Sequence, residues 1–351
     1  MKLSIQKTFV LVALLLGALF ATFIFAPEAT APPTERELAF RDNFYGLEIR
    51  GDLIWVVGYY GTILHSRDRG LTWQIQTSGT QEALYRVVFL DEKRGWISGS
   101  YGTILHTQDG GGHWQIQPAP TEEHLLGLQF LDEQIGWAVG SRGVLLRTAD
   151  GGSSWADRPL GEDLILNDVQ FLDLKRGWLV GEFGRIYRTT DGGQTWLKQQ
   201  SPIEVSFVSG ESRNLFRLLF PNSNGGLAFG LDGVILASQK GERWQVASGD
   251  GATPPRAKRN HLFSASRFDG RKWAVGERGT ILAAGIEDHR WEAAGLRIPP
   301  VSLNGIAFGR DGLGLIVGNR GFILRTEDGG QEWKQYRIVT EAPGRGVSKA
   351  S

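Results

Sequence analysis

Five aspartates recur in nearly the same short phrase, and their carboxylates are the first side chains in the sequence that could do chemistry. The phrase runs from Ser or Thr through Asp and Gly to Trp, as in RTTDGGQTW at 188–196. Carboxylates in such a loop could bind Ca²⁺ or a polar ligand. They could instead stabilise a turn, because Ser, Thr and Asp side chains accept hydrogen bonds from nearby backbone N–H groups. The aspartates and their tryptophans are Asp68, Trp73, Asp109, Trp114, Asp150, Trp155, Asp191, Trp196, Asp328 and Trp333.

The elements that must position these residues repeat along the chain. Trp244 and Trp291 extend the series of tryptophans to seven, with separations of 41, 41, 41, 48, 47 and 42 residues. Each copy also contains an apolar run such as LYRVVFLD (84–91) and a glycine-centred block such as WISGSYGTIL (96–105). Four short strands, A to D, at this period are typical of a propeller blade. We therefore predict an all-β protein, a seven-bladed β-propeller of four-stranded antiparallel blades over 38–340, with a solenoid as the alternative.

The phrase is then the turn between strands C and D. Its glycines would supply positive φ, and its tryptophan would bury a large apolar area beside the next blade. The phrase decays in the fifth copy (SQKGERW, 238–244) and the sixth (AGIEDHRW, 284–291), while the strands around it persist. A folding device tolerates such decay and a required catalytic motif does not, so we predict a structural role.

The combined repeat resembles a known family. The pattern [ST]-x-D-x-G-x-x-W is the Asp-box, or BNR repeat, and with the glycine-centred block it is similar to the photosystem II stability/assembly factor-like β-propellers. The resemblance implies a non-catalytic, exported or lumenal assembly factor or scaffold that binds a membrane-protein client. Similar propellers occur in non-photosynthetic bacteria, so an accessory subunit of an envelope transporter complex is the alternative. Sialidases and other glycosidases share the Asp-box alone.

Composition removes several classes of site. The chain has no cysteine, so it has no disulfide, thiolate nucleophile or Cys-ligated metal. Lys and Arg balance Asp and Glu at 38 each, which gives no general attraction to nucleic acid. His65 and His106 end strand C in adjacent copies, yet no third metal ligand accompanies them. A sialidase pattern expects Arg-Ile-Pro before the first Asp-box, whereas here it occupies 297–299. We expect no cofactor, no metal and no catalysis.

The N-terminus differs from the rest of the chain. Lys2 and Lys7 precede 19 residues without a charge at 8–26. A helix of that length spans about 28 Å, close to the thickness of the hydrocarbon core, which favours a membrane anchor over a cleaved signal peptide. The Pro-rich segment 27–37 is predicted to be a tether and 341–351 a flexible tail. We expect a monomeric propeller on the periplasmic or lumenal side of the membrane.

One rim of the propeller is predicted to bind the partner. Antiparallel order places the A–B and C–D turns on one rim and the B–C turns and D–A connections on the other. The residue before the second glycine of each B–C turn is aromatic in three blades and arginine in three, a composition found in interaction hot spots. Solvation of exposed turns is the alternative explanation. These residues are Tyr60, Tyr101, Arg142, Phe183, Asp232, Arg278 and Arg320.

A long connection adds basic residues to the same rim. Residues 248–261 contain Arg256, Lys258, Arg259 and His261. A run of charges in a loop is often only solvated surface, but its position beside the arginine turns favours binding. We predict that this rim holds an acidic or amphipathic segment of the client.

Overall fold

The seven predicted blades are present in the computed structural model, each as a four-stranded antiparallel sheet formed by consecutive strands. The structure describes residues 35–37, 42–205, 213–223, 225–247, 260–288, 290–336 and 338–341. The all-β seven-bladed propeller predicted from the repeat is therefore confirmed. Within the described ranges, no helix is long and apolar enough to cross a membrane. The predicted helix over 8–26 lies outside them.

The strands follow one another in the order A, B, C, D in every blade. Blades 1 and 2 consist of β2 (Phe44–Arg50), β3 (Leu53–Gly58), β4 (Ile63–Ser66), β5 (Gln74–Gln76), β6 (Leu84–Phe89), β7 (Gly95–Gly99), β8 (Ile104–Thr107) and β9 (Gln115–Gln117). Blades 3 and 4 consist of β10 (Leu125–Phe130), β11 (Gly136–Gly140), β12 (Leu145–Thr148), β13 (Ala156–Asp157), β14 (Leu166–Phe171), β15 (Gly177–Gly181), β16 (Ile186–Thr189) and β17 (Leu197–Lys198).

The remaining three blades and a small additional sheet complete the chain. Blades 5 and 6 consist of β18 (Leu215–Asn222), β19 (Gly225–Gly230), β20 (Ile235–Gln239), β21 (Arg243–Val246), β22 (Leu262–Phe268), β23 (Arg271–Gly276), β24 (Ile281–Gly285) and β25 (Glu292–Ala293). Blade 7 consists of β26 (Leu303–Phe308), β27 (Gly314–Gly318), β28 (Ile323–Thr326) and β29 (Lys334–Tyr336). Strand β1 (Glu35–Glu37) pairs antiparallel with β30 (Val339–Glu341).

The ring closes between the first and last blades, and each blade is complete in itself. Phe44 and Ile54 of blade 1 share one apolar cluster with Leu315 and Val317 of blade 7. The Asn304 side chain also donates a hydrogen bond to the Phe44 carbonyl at 2.7 Å. The A strands of neighbouring blades contact one another around the whole ring, so strand A is innermost and borders the axial channel.

Tryptophans at two positions hold neighbouring blades together. The strand B tryptophans are fully buried, and Trp55 donates to the Gly110 carbonyl in the Asp-box turn of the next blade at 3.0 Å. The Asp-box tryptophans pack against the preceding blade. Trp114, for example, shares a cluster with Trp55 and Ile63 of blade 1. The expectation that the Asp-box tryptophan lies beside the next blade is thus wrong, because the strand B tryptophan makes that contact.

The two rims have the composition predicted from antiparallel order. The A–B and C–D turns lie together, since the Gly110 amide in an Asp-box turn donates to the Lys93 carbonyl in an A–B turn at 2.8 Å. The B–C turns lie with the D–A connections, as shown by the bond from the Gly143 amide to the Leu164 carbonyl at 2.6 Å. We call these surfaces the Asp-box rim and the tip rim.

Candidate functional site

The B–C turns of the tip rim share one unusual backbone conformation. Six of them are single 3-10 turns, at Tyr59–Gly61, Ser141–Gly143, Glu182–Gly184, Leu231–Gly233, Glu277–Gly279 and Asn319–Gly321. The residue before the last glycine, which we call the tip residue, has a left-handed backbone with φ between 49° and 63° in all seven blades. This conformation strains residues that carry a Cβ and favours glycine.

Most tip side chains are open to solvent. Tyr60 is 58% exposed and Tyr101 is 66% exposed, although large aromatic side chains usually contribute to a core. The Arg142 side chain is 70% exposed, and Arg278 and Arg320 are also exposed. From blade 6 through blades 7, 1, 2 and 3 to blade 4, the tip residues form an arc. They are Arg278, Arg320, Tyr60, Tyr101, Arg142 and Phe183.

An aromatic surface connects the tip of blade 2 with the mouth of the channel. The Tyr101 ring meets His124 edge-on at 5.2 Å between centroids, and His124 in turn meets Tyr85 at 6.2 Å. The Tyr85 ring lies 5.6 Å from Tyr45. Burial raises the pKa of both Tyr45 and Tyr85, so these hydroxyls stay protonated and neutral. The surface is therefore apolar with hydroxyl groups at its edge.

The charges on the tip rim are unevenly distributed. The Arg142 guanidinium lies 3.6 Å from the Glu123 carboxylate, a long and exposed contact that a competing carboxylate can replace. Blade 5 instead carries an acidic tip residue, Asp232, at 4.0 Å from His261. The predicted basic residues Arg256, Lys258 and Arg259 lie outside the described residues. The described part of the basic surface thus consists of the arginine tips.

The Asp-box carboxylates are bound within their own turns. In blade 3, Asp150 accepts hydrogen bonds from Thr148 Oγ1 at 2.8 Å and from the Ser154 amide at 2.9 Å. Thr148 Oγ1 accepts a bond from the Gly152 amide at 2.8 Å. Such donors stabilise the charged form of the carboxylate. The His113 side chain and amide lower the pKa of Asp109 to about 2 in this way. The aspartates bind the protein's own donors, and no group of three metal-ligating side chains occurs within the described ranges.

The histidines at the end of strand C cover the buried tryptophans. His65 stacks on Trp55 at 4.9 Å, and His106 stacks on Trp96 at 4.7 Å. Arg147 occupies the equivalent position in blade 3, with its guanidinium 5.8 Å from the centre of the Trp137 ring. Burial lowers the pKa of His65 to about 4, which keeps it neutral. This column therefore packs against the tryptophans of its own blades.

The sequence interpretation missed a set of charged side chains on the innermost strands. Glu48, Arg86, Asp168 and Arg217 come from strand A of blades 1, 2, 4 and 5. They influence one another electrostatically, although blades 1 and 2 are not neighbours of blades 4 and 5 in the ring. For Arg86, Asp168 and Arg217 the available signal was a charged residue at the third position of strand A, as in LYRVVF (84–89).

Comparison with known families gives a match over the first three blades. Residues 43–108 and 109–165 match the family described as Photosynthesis system II assembly factor YCF48. No curated protein matches the chain.

Solved structures extend the likeness to the whole propeller. A structure described as YCF48 bound to D1 peptide is 19% identical, covers 85% of this chain and 95% of its own, and has a TM-score of 0.65. YCF48 from Cyanidioschyzon merolae is 16% identical, with coverages of 85% and 99% and a TM-score of 0.66. A GH74 enzyme from Niastella koreensis is 13% identical with a TM-score of 0.65, and the match covers 84% of this chain but only 54% of the enzyme.

At these identities the structural likeness shows a shared fold and does not separate binding proteins from enzymes. The family match, in contrast, rests on the repeat sequence itself. The resemblance predicted from the Asp-box pattern is confirmed: residues 43–165 match the repeats of the photosystem II assembly factor family, and the seven blades have the propeller fold of YCF48.

Proposed function

We propose that this protein is a non-catalytic assembly or stability factor that binds a segment of a membrane-protein client on its tip rim. The observation that carries the proposal is the left-handed backbone of all seven tip residues, every one of which keeps a side chain. A left-handed conformation costs about 1 kcal/mol or more for a residue with a Cβ, and glycine avoids this cost. Exposed side chains retained at such positions are better explained by a partner than by folding.

The chemistry of the rim indicates what kind of segment it accepts. Tyr60 and Tyr101 offer rigid apolar surface with hydroxyl groups, while Arg142, Arg278 and Arg320 offer planar donors for carboxylates. Aromatic and arginine side chains are the commonest anchors of protein interfaces. An amphipathic segment with acidic side chains fits this arc. A propeller of the same fold is described as bound to a D1 peptide, which supports peptide binding by this architecture.

The proposal also concerns the side of the membrane on which the propeller lies, and it depends on the host organism. With residues 8–26 as a membrane anchor, the propeller would face the periplasm or lumen beside its client. In a photosynthetic host the client would be a photosystem subunit. In a non-photosynthetic host the protein would instead be an accessory subunit of an envelope transporter complex. The identity of the host separates these two interpretations.

Charge reversal on the two rims tests the proposal. The variant Arg142→Glu, Arg278→Glu, Arg320→Glu should abolish co-purification of the client from the native membrane. The matched control reverses three exposed charges in A–B turns of the Asp-box rim: Lys93→Glu, Lys175→Glu, Arg310→Glu. Both variants change the net charge equally, so only the tip variant should lose the client. Equal retention by the two variants would reject the proposal.

Cross-linking identifies the client directly. A photo-reactive amino acid at Tyr101 should cross-link to the client, whereas the same amino acid at Leu174, which is 57% exposed on the Asp-box rim, should not. Mass spectrometry of the cross-linked peptide would name the bound segment. Cross-links of equal yield from both positions would show that the tip rim has no preference for the client.

Glycosidase activity is the competing function, because GH74 enzymes share the fold. Glycoside hydrolysis needs two carboxyl groups on either side of the scissile bond. The channel offers Glu48 and Asp168, and Asp168 already accepts a bond from the Leu218 amide at 2.9 Å. We expect no turnover of chromogenic glycosides. Turnover that is lost in Glu48→Gln or Asp168→Asn would overturn the non-catalytic assignment.

A further inference from the structure

Four charged side chains from four different blades meet in the axial channel. Arg86 of blade 2 experiences the charges of Arg217, Asp168 and Glu48, in blades 5, 4 and 1. Blades that are not neighbours approach one another only at the axis. Arg86 is half-buried and keeps some exposure to the solvent in the channel. The four groups therefore form one cluster across the channel.

Three of the four groups lie at one height in the channel, whereas Glu48 is two residues further along its strand. Every strand A has a register irregularity after its first residue, and the third residue is the next to pair with strand B. Arg86, Asp168 and Arg217 occupy this third position. The equivalent residue is glycine in blades 1, 3 and 7, at Gly46, Gly127 and Gly305. Three blades thus place no side chain at this level.

One positive charge in the cluster remains without a partner. Asp168 lies 3.4 Å from Arg217, and Glu48 lies 3.0 Å from Arg50. Arg86 makes no ion pair or hydrogen bond with any described residue, and its Nε is buried without an acceptor. The Nε of Arg217 is also buried without an acceptor. A buried guanidinium nitrogen that lacks an acceptor is costly unless an anion or water satisfies it.

The channel opens next to these arginines on the tip rim. Strand A runs from the tip rim towards the Asp-box rim. Its second residue therefore lies about 3.3 Å nearer the tip-rim mouth of the channel than its third. These second residues include two aromatic pairs, Tyr45 with Tyr85 at 5.6 Å and Phe216 with Phe263 at 5.4 Å. All four rings are half-buried. A ligand therefore passes between aromatic rings before it reaches Arg86.

We propose that Arg86 and Arg217 form a binding site for a single carboxylate in the axial channel. The free donors of Arg86 bind the carboxylate oxygens, and the aromatic pairs at the mouth contact the apolar part of the ligand. One carboxylate neutralises the one unpaired charge. The group belongs either to a small free acid or to the C-terminus of a peptide. The proposal does not rest on the client-binding function, since it uses none of the tip residues.

Calorimetric titration with acetate, in a buffer without chloride, tests the site on the full chain. Acetate should bind saturably, and Arg86→Gln should weaken binding by about tenfold or more because the charged donor is lost. Arg86→Lys keeps the charge but not the planar donors, and should retain part of the affinity. Retained folding of both variants is checked by thermal unfolding. Saturation by acetate that is equal in wild type and Arg86→Gln, or no saturable binding at all, would overturn the proposal.

Two further arms distinguish the source of the carboxylate and separate this proposal from the client-binding one. N-acetyl-tetra-alanine with a free C-terminus should bind more tightly than acetate if the site takes a peptide end, and its C-terminal amide should not bind. Equal affinity for acetate and the free peptide would assign a small acid. The Arg142, Arg278, Arg320 charge-reversal variant should bind acetate like wild type. If the charge-reversal variant still bound the client, the client-binding proposal would fail, but the carboxylate site measured with acetate would not be contradicted.

Discussion

The two rims of the propeller build their turns in opposite ways. On the Asp-box rim, side chains close the turn, since Thr148 and Asp150 bind backbone amides and Trp155 is buried. Left-handed positions there are mostly glycine. On the tip rim, bonds between backbone groups close the turn, as from the Thr103 amide to the Ser100 carbonyl, and the left-handed position carries a large side chain such as Tyr101. Side chains on the Asp-box rim stabilise its turns, whereas most tip side chains are exposed to solvent.

The degenerate blades show that the Asp-box rim needs a closed turn and not a particular carboxylate. Blade 6 has no Asp-box, and Lys272 closes its C–D turn instead. This lysine is only 3% exposed and donates hydrogen bonds to the carbonyls of Ile286 at 3.0 Å and Asp288 at 2.6 Å. A cation that donates to carbonyls replaces an anion that accepts from amides. Such an exchange preserves a turn and would destroy a calcium or catalytic site.

Removal of a tryptophan that joins two blades should have the largest effect. Trp96 is 1% exposed, stacks on Phe130 at 3.7 Å and donates to the Gly151 carbonyl of the next blade at 3.0 Å. Trp96→Ala should lower the free energy of unfolding by about 3–5 kcal/mol. The exposed Tyr101→Ala on the tip rim should change it by less than about 0.5 kcal/mol. Denaturant midpoints measure both, and similar losses would contradict the division between the rims.

Acid should destabilise the protein through His65 before it affects the Asp-box turns. Burial and the charge of Arg67 lower the pKa of His65 to about 4 from 6.5. Between these values the unfolded chain binds a proton that the folded protein does not, so stability falls by up to about 3 kcal/mol as pH decreases from 6.5 to 4. Asp109 has a pKa of about 2, so its contribution is lost only below pH 3.8.

His65→Phe serves as the control because it keeps a ring on Trp55 and removes the titrating group. Its denaturant midpoint should vary less with pH between 6.5 and 4 than that of the wild type. His106 retains part of the dependence, since burial also lowers its pKa. Identical pH profiles for the two proteins would show that His65 takes up its proton without cost to the fold.

The sequence allowed the blades and the rims to be predicted because both follow from a short local pattern. A period near 41 residues, four strands per period and antiparallel order place each turn on one of two rims without knowledge of distant contacts. The closure between blades 1 and 7 does not follow from this local pattern. It depends on packing between Phe44 and Val317, which are far apart in the chain.

The channel cluster and the direction of tryptophan packing could not be predicted in this way. Arg86 and Arg217 are 131 residues apart, and their proximity results from the radius of the closed ring. Each arginine lies in a strand whose other residues are mostly apolar, so the strand was interpreted as part of the core. Whether Trp114 faces the preceding or the following blade depends on the twist of the sheet, which a repeat pattern does not encode.

Loss of one Asp-box hydroxyl should have a moderate effect. Thr148→Ala leaves the Gly152 amide without its acceptor in a buried turn, which should cost about 1–2 kcal/mol. Ser238 occupies the same position in the degenerate blade 5. Among the described residues, the only hydrogen bond of its hydroxyl group is a weak one to the Gln239 carbonyl at 3.4 Å. Ser238→Ala should therefore cost less. Equal losses in denaturant unfolding would show that the Asp-box hydrogen bonds do not stabilise the rim.

Relief of strain at a tip residue should have the smallest effect, and the opposite sign. Tyr101 has φ of 49°, a conformation that glycine adopts without a Cβ clash, and its ring is 66% exposed. Tyr101→Gly should raise the free energy of unfolding by up to about 1 kcal/mol, because the relief of strain outweighs the loss of an exposed contact with His124. The same variant should weaken client binding, so that stability and binding change in opposite directions. A loss of stability in Tyr101→Gly would mean that the fold itself requires the tyrosine, and the tip rim would then lose its distinction from the Asp-box rim.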